Sequence, residues 1–195
     1  MTINEFGGSD GENEIRTGPE GRDSAAMVLH EAAARYNIAT YQFASTDLTT
    51  LSTLKYTVYD ASASSQTPFL NFNVSFDGND NWQRRLVHVP GASTNDGVPV
   101  NTWTEVDAID GGDAMWTWSY YAGNGNVWPA QPGANLPDPN AQYQKWSDLV
   151  AAYPSLQILD TDSFFGVRVG HPGPDAEESY VDSIEFNGTV YDFVN

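Results

Sequence analysis

The sequence predicts an all-β sandwich, in which two antiparallel sheets pack face to face. Three observations support this fold class. Apolar and polar residues alternate in many short segments, turn-forming residues recur at short intervals, and only one segment has a clear helical pattern. With 195 residues, of which 40% are hydrophobic, the chain is long enough to bury the core of one domain.

The chain is expected to consist of an arm followed by one domain. Residues 1–24 are polar, acidic and rich in glycine, and we interpret them as a loosely ordered N-terminal arm. The single sandwich domain is expected over residues 25–195. Residues 25–34 contain alanines that would suit a helix, but Met27 and Val28 precede an alternating stretch. This segment is therefore predicted to be a strand.

Seven further strands are predicted from alternation with a period of two. In residues 69–76, for example, Leu70 and Phe72 would share one face with mostly polar residues on the other, as in a half-buried strand. The predicted strands are residues 54–59, 69–76, 85–89, 98–106, 166–170, 180–186 and 189–194. The last two flank Asn187-Gly188, a strong hairpin signal because both central residues of a type I′ turn need a positive φ.

One short helix is predicted over residues 147–153. Ser147 can cap its N-terminus, Asp148 lies in the first turn, and Pro154 ends the segment because proline cannot continue a helix. Glycine and proline otherwise concentrate in connections, mainly over residues 123–139.

The net charge excludes two classes of partner. Eight Lys and Arg residues stand against 26 Asp and Glu, which gives a formal charge of −18. Nucleic acid and anionic membrane surfaces are bound by basic residues, so neither is an expected partner. Two lysines and an excess of Asp over Glu suit a protein kept soluble in high salt, which favours a halophilic source. An ordinary acidic secreted protein is the alternative.

Cysteine is absent, so a disulfide framework, a cysteine zinc site and a thiol nucleophile are all excluded. No apolar run reaches the ~18 residues that a membrane helix needs, and no membrane insertion is expected. The N-terminus lacks the basic and apolar regions of a signal peptide. It therefore indicates either a cytoplasmic protein or a mature domain whose export leader has been removed.

The strongest candidate for enzyme chemistry is the acidic string that contains Glu105, Asp107 and Asp110. It resembles the Glu-x-Asp-x-x-Glu strand of retaining glucanases on concanavalin-like sandwiches. Alternation would place Glu105 and Asp107 on one face together with Trp103. The third acid is one methylene shorter than the expected glutamate and runs into Gly111. An acidic strand end without catalysis is the alternative interpretation.

A group of aromatic residues is the candidate for ligand binding. Flat rings on an open surface stack on the apolar faces of sugars, and neighbouring amides bind hydroxyl groups. The alternative is that most of these rings belong to the core, and exposure decides between the two. The candidate ligand-binding residues are Trp103, Trp116, Trp118, Tyr120, Tyr121 and Trp128.

A candidate structural Ca²⁺ site lies in residues 77–81. Asp77, Asn79 and Asp80 supply oxygen ligands around a glycine bend, although the spacing is not that of an EF-hand. By analogy with jelly-roll binding modules, Asp182 or Asp192 could also contribute. The alternative is a polar hairpin turn.

The remaining polar residues of interest are the histidines and three arginines. His30, His88 and His171 have no metal or catalytic spacing and are interpreted as surface or packed side chains. The arginines Arg84, Arg85 and Arg168 are expected to pair with carboxylates, with contact to an acidic sugar as the alternative.

Several of these segments together resemble a family of uncharacterised exported β-sandwich domains. The resemblance implies a jelly-roll or concanavalin A-like sandwich, similar to carbohydrate-binding modules, and an extracellular or cell-surface location with the leader removed. The matching segments are residues 16–21, 51–59, 76–80, 85–87, 102–103, 106–108, 111–112, 116, 180–184 and 191–193.

The leading functional hypothesis is a non-catalytic extracellular module that binds carbohydrate through surface aromatics. A structural or adhesive domain of a cell surface or virion is the first alternative. A glucanase that uses Glu105, Asp107 and Asp110 is the second. The expected partner is a glycan or another surface polymer, and no cofactor other than Ca²⁺ is expected.

Overall fold

The computed structural model describes residues 5–9, 11–29, 35–61, 67–79, 84–119, 125–130, 133–169 and 177–193. Within this part of the chain, two antiparallel sheets form a β-sandwich with one short α-helix, which confirms the predicted fold class. The strands are β1 (Glu5–Ser9), β2 (Gly11–Thr17), β3 (Asp23–Leu29), β4 (Arg35–Thr40), β5 (Leu54–Asp60), β6 (Phe69–Ser75), β7 (Arg84–His88), β8 (Thr104–Asp107), β9 (Met115–Trp118), β10 (Gln144–Lys145), β11 (Gln157–Ile158), β12 (Phe165–Val169), β13 (Glu177–Phe186) and β14 (Thr189–Asp192).

The strands separate into two sheets whose inner faces share the core. The first sheet has the order β1-β4-β12-β6-β7-β9-β10, and β11 also pairs with β6. The second sheet has the order β2-β3-β13-β5-β8, and β14 pairs with β13. Alternate residues of each strand point inward, so Phe72 and Phe165 of the first sheet and Tyr56 and Ile184 of the second belong to one hydrophobic cluster.

Most of the strands predicted by alternation are observed, but the segment 98–106 is strand only from Thr104 onward. The preceding residues form a single bridge, between Val100 and Asp60, and Asn101 adopts a left-handed conformation with φ 56°. Pro99 has no N–H to donate to a ladder. The residues before Thr104 alternate in polarity as a strand does, but they form a loop beside the edge of the sheet.

The segment interpreted as an N-terminal arm contains two strands. β1 pairs with β4 in the first sheet, and β2 pairs with β3 in the second. Backbone hydrogen bonds supply these pairings, so polar residues can form them without an apolar pattern. Residues 30–34 lie outside the described part of the chain, whereas 23–29 form β3, the strand expected there.

The helix α1 spans Trp146–Ala152 and begins one residue earlier than the sequence predicts. Lys145 occupies the N-cap position and its side chain makes no capping bond, so the prediction that Ser147 is the cap was wrong. The backbone N–H of Trp146 instead donates to the carbonyl of Ala114 at 2.9 Å. This bond and the buried Trp146 and Leu149 fix the helix start by tertiary contact.

The hairpin between β13 and β14 turns at Asn187 and Gly188, whose φ angles are 51° and 78°. Both values are positive, as a type I′ turn requires, and they confirm the prediction. Among the described residues, no helix has the length and apolarity needed to cross a membrane.

Candidate functional site

Three of the tryptophans predicted to bind a ligand lie in the core. Trp116 is fully buried, and Trp118 and Trp128 are 3% and 2% exposed. The indole N–H of Trp116 donates to the carbonyl of Ala108 at 2.8 Å, and that of Trp128 to the carbonyl of Ala141 at 2.8 Å. The rings of Trp116 and Trp118 pack inside the sandwich because alternate β9 positions face the opposite sheet. Trp128 lies outside the strands, and its ring centroid is 6.4 Å from that of Trp118. Tyr120 and Tyr121 lie outside the described residues.

Trp103 is half-buried on the outer face of the second sheet, where the chain itself covers it. Its indole N–H donates to the carbonyl of Pro19 at 3.2 Å. The guanidinium carbon of Arg22 lies 5.1 Å from the ring centroid, and the ring of Tyr59 lies at 5.3 Å. Arg22 also pairs with Asp182. Trp103 therefore anchors the loop at Pro19 and does not form an open platform.

Glu105, Asp107 and Asp110 come together in one concavity, which we call the acidic cleft. It has a volume of about 280 Å³ and lies where the edge strand β8 meets the loops that follow β7 and β8. The lining residues include His88, Asp96, Glu105, Asp107, Asp110 and Asp113. The three acids identified by the sequence resemblance therefore line the same cavity.

Contacts within the acidic cleft give Asp107 a structural role. Its Oδ1 accepts the backbone N–H groups of Ile109 at 2.9 Å and Asp110 at 2.8 Å. These bonds hold a tight turn in which Asp110 and the following glycine both have positive φ. Glu105 pairs with Lys55 at 2.8 Å, and this hydrogen bond raises the pKa of Lys55. The two acids thus have ordinary structural partners.

His88 forms part of the floor of the acidic cleft and is 1% exposed. Its Nδ1 lies 3.3 Å from the hydroxyl of Tyr56, and its ring packs 5.3 Å from that of Trp116. Burial lowers the pKa of His88 to about 4, so the imidazole is neutral at neutral pH. It is a packed core histidine, as one of the sequence interpretations expects. His30 and His171 lie outside the described residues.

The segment proposed for Ca²⁺ forms a polar turn as far as it is described. Oδ1 of Asp77 accepts the backbone N–H of Asn79 at 2.8 Å and the hydroxyl of Ser75 at 3.0 Å. Gly78 has a φ of 73°, which favours glycine. Asp80 and Asn81 lie outside the described residues. In the part of the chain that the structure describes, no three His, Cys, Asp or Glu side chains are grouped to hold a metal ion.

Sequence reasoning missed a polar surface on the outer face of the first sheet. We call it the amide face and define it by Asn37, Asn71, Asn73, Arg85 and Arg168. In β6, Leu70, Phe72 and Val74 belong to the core, so the alternate positions point outward. These outward positions are nevertheless covered, since Asn71 is fully buried and Asn73 is 6% exposed. The prediction that this strand is half-buried was therefore wrong.

The segment 159–164 crosses close to the amide face. The backbone N–H of Leu159 donates to the carbonyl of Asn73, and that of Asn73 to the carbonyl of Phe164. Both Leu159 and Phe164 are buried. Because this loop leaves and rejoins the sheet beside β6, it brings apolar side chains to a strand that would otherwise face solvent.

Asn71 is the central amide of this face. Nδ2 of Asn71 donates to the carbonyl of Gly166 at 3.2 Å, whereas its Oδ1 has no hydrogen-bond partner among the described residues. Its neighbour Asn73 accepts the Nε–H of Arg85 at 3.1 Å. Gly166 is required beside Asn71, because a Cβ there would overlap the carbonyl oxygen of Ile38.

Two arginines lie against phenylalanine rings at the edges of the amide face. The guanidinium carbon of Arg85 is 4.5 Å from the ring centroid of Phe164, and that of Arg168 is 6.0 Å from that of Phe69. Both arginines and Phe69 are half-buried. The only sequence signal for this arrangement was the pair of asparagines at alternate positions of an apolar strand.

No family model, no curated protein and no solved structure matches the chain. The resemblance to exported sandwich domains therefore stays a prediction beyond the sandwich fold itself.

Proposed function

We propose that this domain binds carbohydrate without cleaving it, and that the ligand lies on the amide face. The observation that carries the proposal is Oδ1 of Asn71, a buried acceptor with no donor among the described residues. A buried polar atom left without its hydrogen bond costs about 1–3 kcal/mol. Such an atom is retained at little cost if a ligand donates to it.

Sugar hydroxyl groups have the chemistry that this atom needs. Each hydroxyl can donate to an amide oxygen and accept from an amide or guanidinium N–H. Asn71 and Asn73 supply amides on one strand, and Arg85 supplies a guanidinium on the next. The ring of Phe69 is half-buried at one edge of this face and suits the apolar face of a sugar ring.

Access to Asn71 requires a small rearrangement. The side chain is fully covered, whereas Arg85, Arg168 and Phe69 around it are half-buried. A ligand would therefore meet these half-buried side chains first, and it would reach the amide only as they and the buried Phe164, which packs against Arg85, move aside. Side-chain rotation of this kind is common on binding, while the sheet beneath is held by backbone pairing.

The acidic cleft supports a second candidate, a glycoside hydrolase, because Glu105, Asp107 and Asp110 all line it. Against it, the Oδ1 of Asp107 already accepts two backbone N–H groups of its own turn. If the wild type hydrolyses a glucan and a Glu105→Gln variant does so equally well, this candidate is removed, since a nucleophile or a general acid at this position needs the carboxyl group.

The proposal is tested by calorimetric titration of the full chain with soluble glucans, chitin oligomers and acidic polysaccharides in high salt. Asn71→Leu keeps the branched shape and the number of heavy atoms of the side chain and removes the amide. We expect it to weaken binding by about tenfold, the loss of one hydrogen bond to a buried group. Thr57→Ala, at a half-buried position of the second sheet, is the matched control and should bind as the wild type does.

Circular dichroism would establish that both variants fold. Failure of every glycan to bind the wild-type protein would overturn the proposal. Equal affinities of Asn71→Leu and Thr57→Ala would also overturn the assignment of the ligand to the amide face.

A further inference from the structure

We infer that Asn187 is an acceptor site for N-linked glycosylation and that Asn73, in the other matching segment, is not. The acceptor motif is Asn-x-Ser or Asn-x-Thr, in which x is not proline. The sequence contains it twice, as Asn-Val-Ser in residues 73–75 and as Asn-Gly-Thr in residues 187–189. The motif itself does not distinguish the two segments, whereas their places in the fold do. This inference is independent of carbohydrate binding at the amide face.

Asn73 lies within the first sheet, where an attached sugar would disrupt the packing. The residue belongs to β6 and is 6% exposed. Its Oδ1 accepts the Nε–H of Arg85, and its backbone is hydrogen-bonded to Leu159 and Phe164 of the covering loop. Ser75, the third residue of this motif, is fully buried. A glycan on Asn73 would therefore need space that the folded chain already fills.

Asn187 has the opposite setting, because it lies in the turn between β13 and β14. All three residues of its motif are exposed. A Cβ added to Gly188 would meet no described atom within 4 Å apart from its chain neighbours, so there is open space beside the turn. An exposed turn is the kind of segment in which exported proteins carry this modification.

The amide of Asn187 is oriented so that its nitrogen is available. Its Oδ1 accepts the hydroxyl of Ser52 at 2.8 Å and the backbone N–H of Ser52 at 3.4 Å. A backbone N–H can only donate, so the oxygen of the amide is the atom that faces Ser52. Nδ2, the atom that receives the sugar, makes no hydrogen bond among the described residues. Attachment to Nδ2 therefore leaves both bonds to Ser52 in place.

The modification requires a donor whose sugar is linked through its anomeric carbon to a lipid phosphate, and a transferase that binds donor and acceptor. Nδ2 of Asn187 forms a bond to the anomeric carbon as the bond from that carbon to the phosphate oxygen breaks. The lipid phosphate leaves, and Nδ2 loses one proton. The product is a secondary amide that keeps one N–H and the oxygen that accepts from Ser52. Because the transferase acts on exported chains, the site requires the extracellular or cell-surface location expected from the sequence.

The test is to produce the full chain with a secretion signal in a host that glycosylates exported proteins, and to analyse tryptic peptides of the secreted protein by mass spectrometry. Trypsin cleaves after Lys55, Arg84 and Arg168, which places the two motifs in separate peptides, 56–84 and 169–195. We expect a glycan on the peptide 169–195 and none on the peptide 56–84. Circular dichroism would establish that the secreted protein is folded.

Asn187→Gln and Thr189→Ala should each abolish the modification, whereas Thr189→Ser keeps the hydroxyl of the motif and should retain it. Asn101→Gln is the matched control, because Asn101 is also exposed with a positive φ but lies in no acceptor motif. This variant should be glycosylated as the wild type is. An unmodified peptide 169–195 in the wild type, its continued modification in Asn187→Gln, or a glycan on the peptide 56–84 of the folded protein would overturn the inference.

Discussion

The outer faces of the two sheets differ, and the central strands β5 and β6 show how. In β5, buried and half-buried residues alternate strictly, so the side chains of Lys55, Thr57 and Tyr59 reach solvent. In β6, every residue after Phe69 is buried. The second sheet therefore has an ordinary solvated outer face, whereas the outer face of the first sheet is covered although it is polar.

The polar groups of the two faces also differ in how they are satisfied. On the second sheet, ion pairs join Arg16 to Glu178 and Lys55 to Glu105 at partly exposed positions. Such pairs contribute little to stability. On the first sheet, Asn71 is buried with one acceptor unused among the described residues. Burial of polar groups is costly, so the first face is the one whose composition calls for a functional explanation.

The largest expected effect concerns the core that both sheets share. His88 has a pKa of about 4 in the folded protein, below its ordinary value of 6.5, because it is buried. The imidazole of His88 therefore binds a proton more tightly in the unfolded chain than in the folded protein. The contribution of His88 to the free energy of unfolding should be fully present above pH 6.5. About 3 kcal/mol of it should be lost as the pH drops to 4.

Chemical denaturation at several pH values measures this effect. A His88→Gln variant lacks the titrating group and should lose less stability over the same interval. If wild type and variant lose the same amount of stability between pH 6.5 and pH 4, His88 does not titrate as a buried neutral group.

A smaller effect should follow from a methyl group added to the first sheet. Gly166→Ala brings a Cβ against the carbonyl oxygen of Ile38 and the backbone of Ala39, so β4 and β12 must separate. We expect a loss of about 2 kcal/mol in the free energy of unfolding. Gly97→Ala is the matched control, since its Cβ would meet only Gly91 at 3.9 Å. Similar denaturation midpoints for the two variants would show that the first sheet is not closely packed there.

The smallest effect is expected on the second sheet. Glu105→Gln removes the ion pair between Lys55 and Glu105. Because the Glu105 side chain is largely exposed, the free energy of unfolding should change by less than about 1 kcal/mol. Thermal unfolding at low and high salt measures it. A larger loss that high salt does not reduce would mean that the outer face of the second sheet is less solvated than its exposure indicates.

Local patterns were sufficient to predict much of the sandwich. Alternation identified β5 and β6, and the need for positive φ identified the turn at Asn187 and Gly188. Features that depend on distant contacts could not be predicted in this way. β1 forms by backbone pairing with β4, which is distant in sequence, β2 pairs with the next strand β3 without an apolar pattern of its own, and the start of α1 is fixed by the carbonyl of Ala114.

The candidate site was less accessible to sequence reasoning. The acids Glu105, Asp107 and Asp110 were recognised because they are close in sequence, and they do line one cleft. Asn71 was interpreted as facing solvent, since only the folded loop at 159–164 reveals that β6 is covered on both faces. Burial of a polar residue is a tertiary property, and no spacing of residues encodes it.

The most direct test of the central claim is a nuclear magnetic resonance titration of side-chain amides with the glycan that binds most tightly in the calorimetric titrations. Asn71 reports on the amide face, and Asn95, which lines the acidic cleft, reports on the competing site. We predict that the Asn71 amide signals shift to saturation while those of Asn95 stay in place. Shifts at Asn95 with unchanged Asn71 signals would contradict the assignment of the ligand to the amide face.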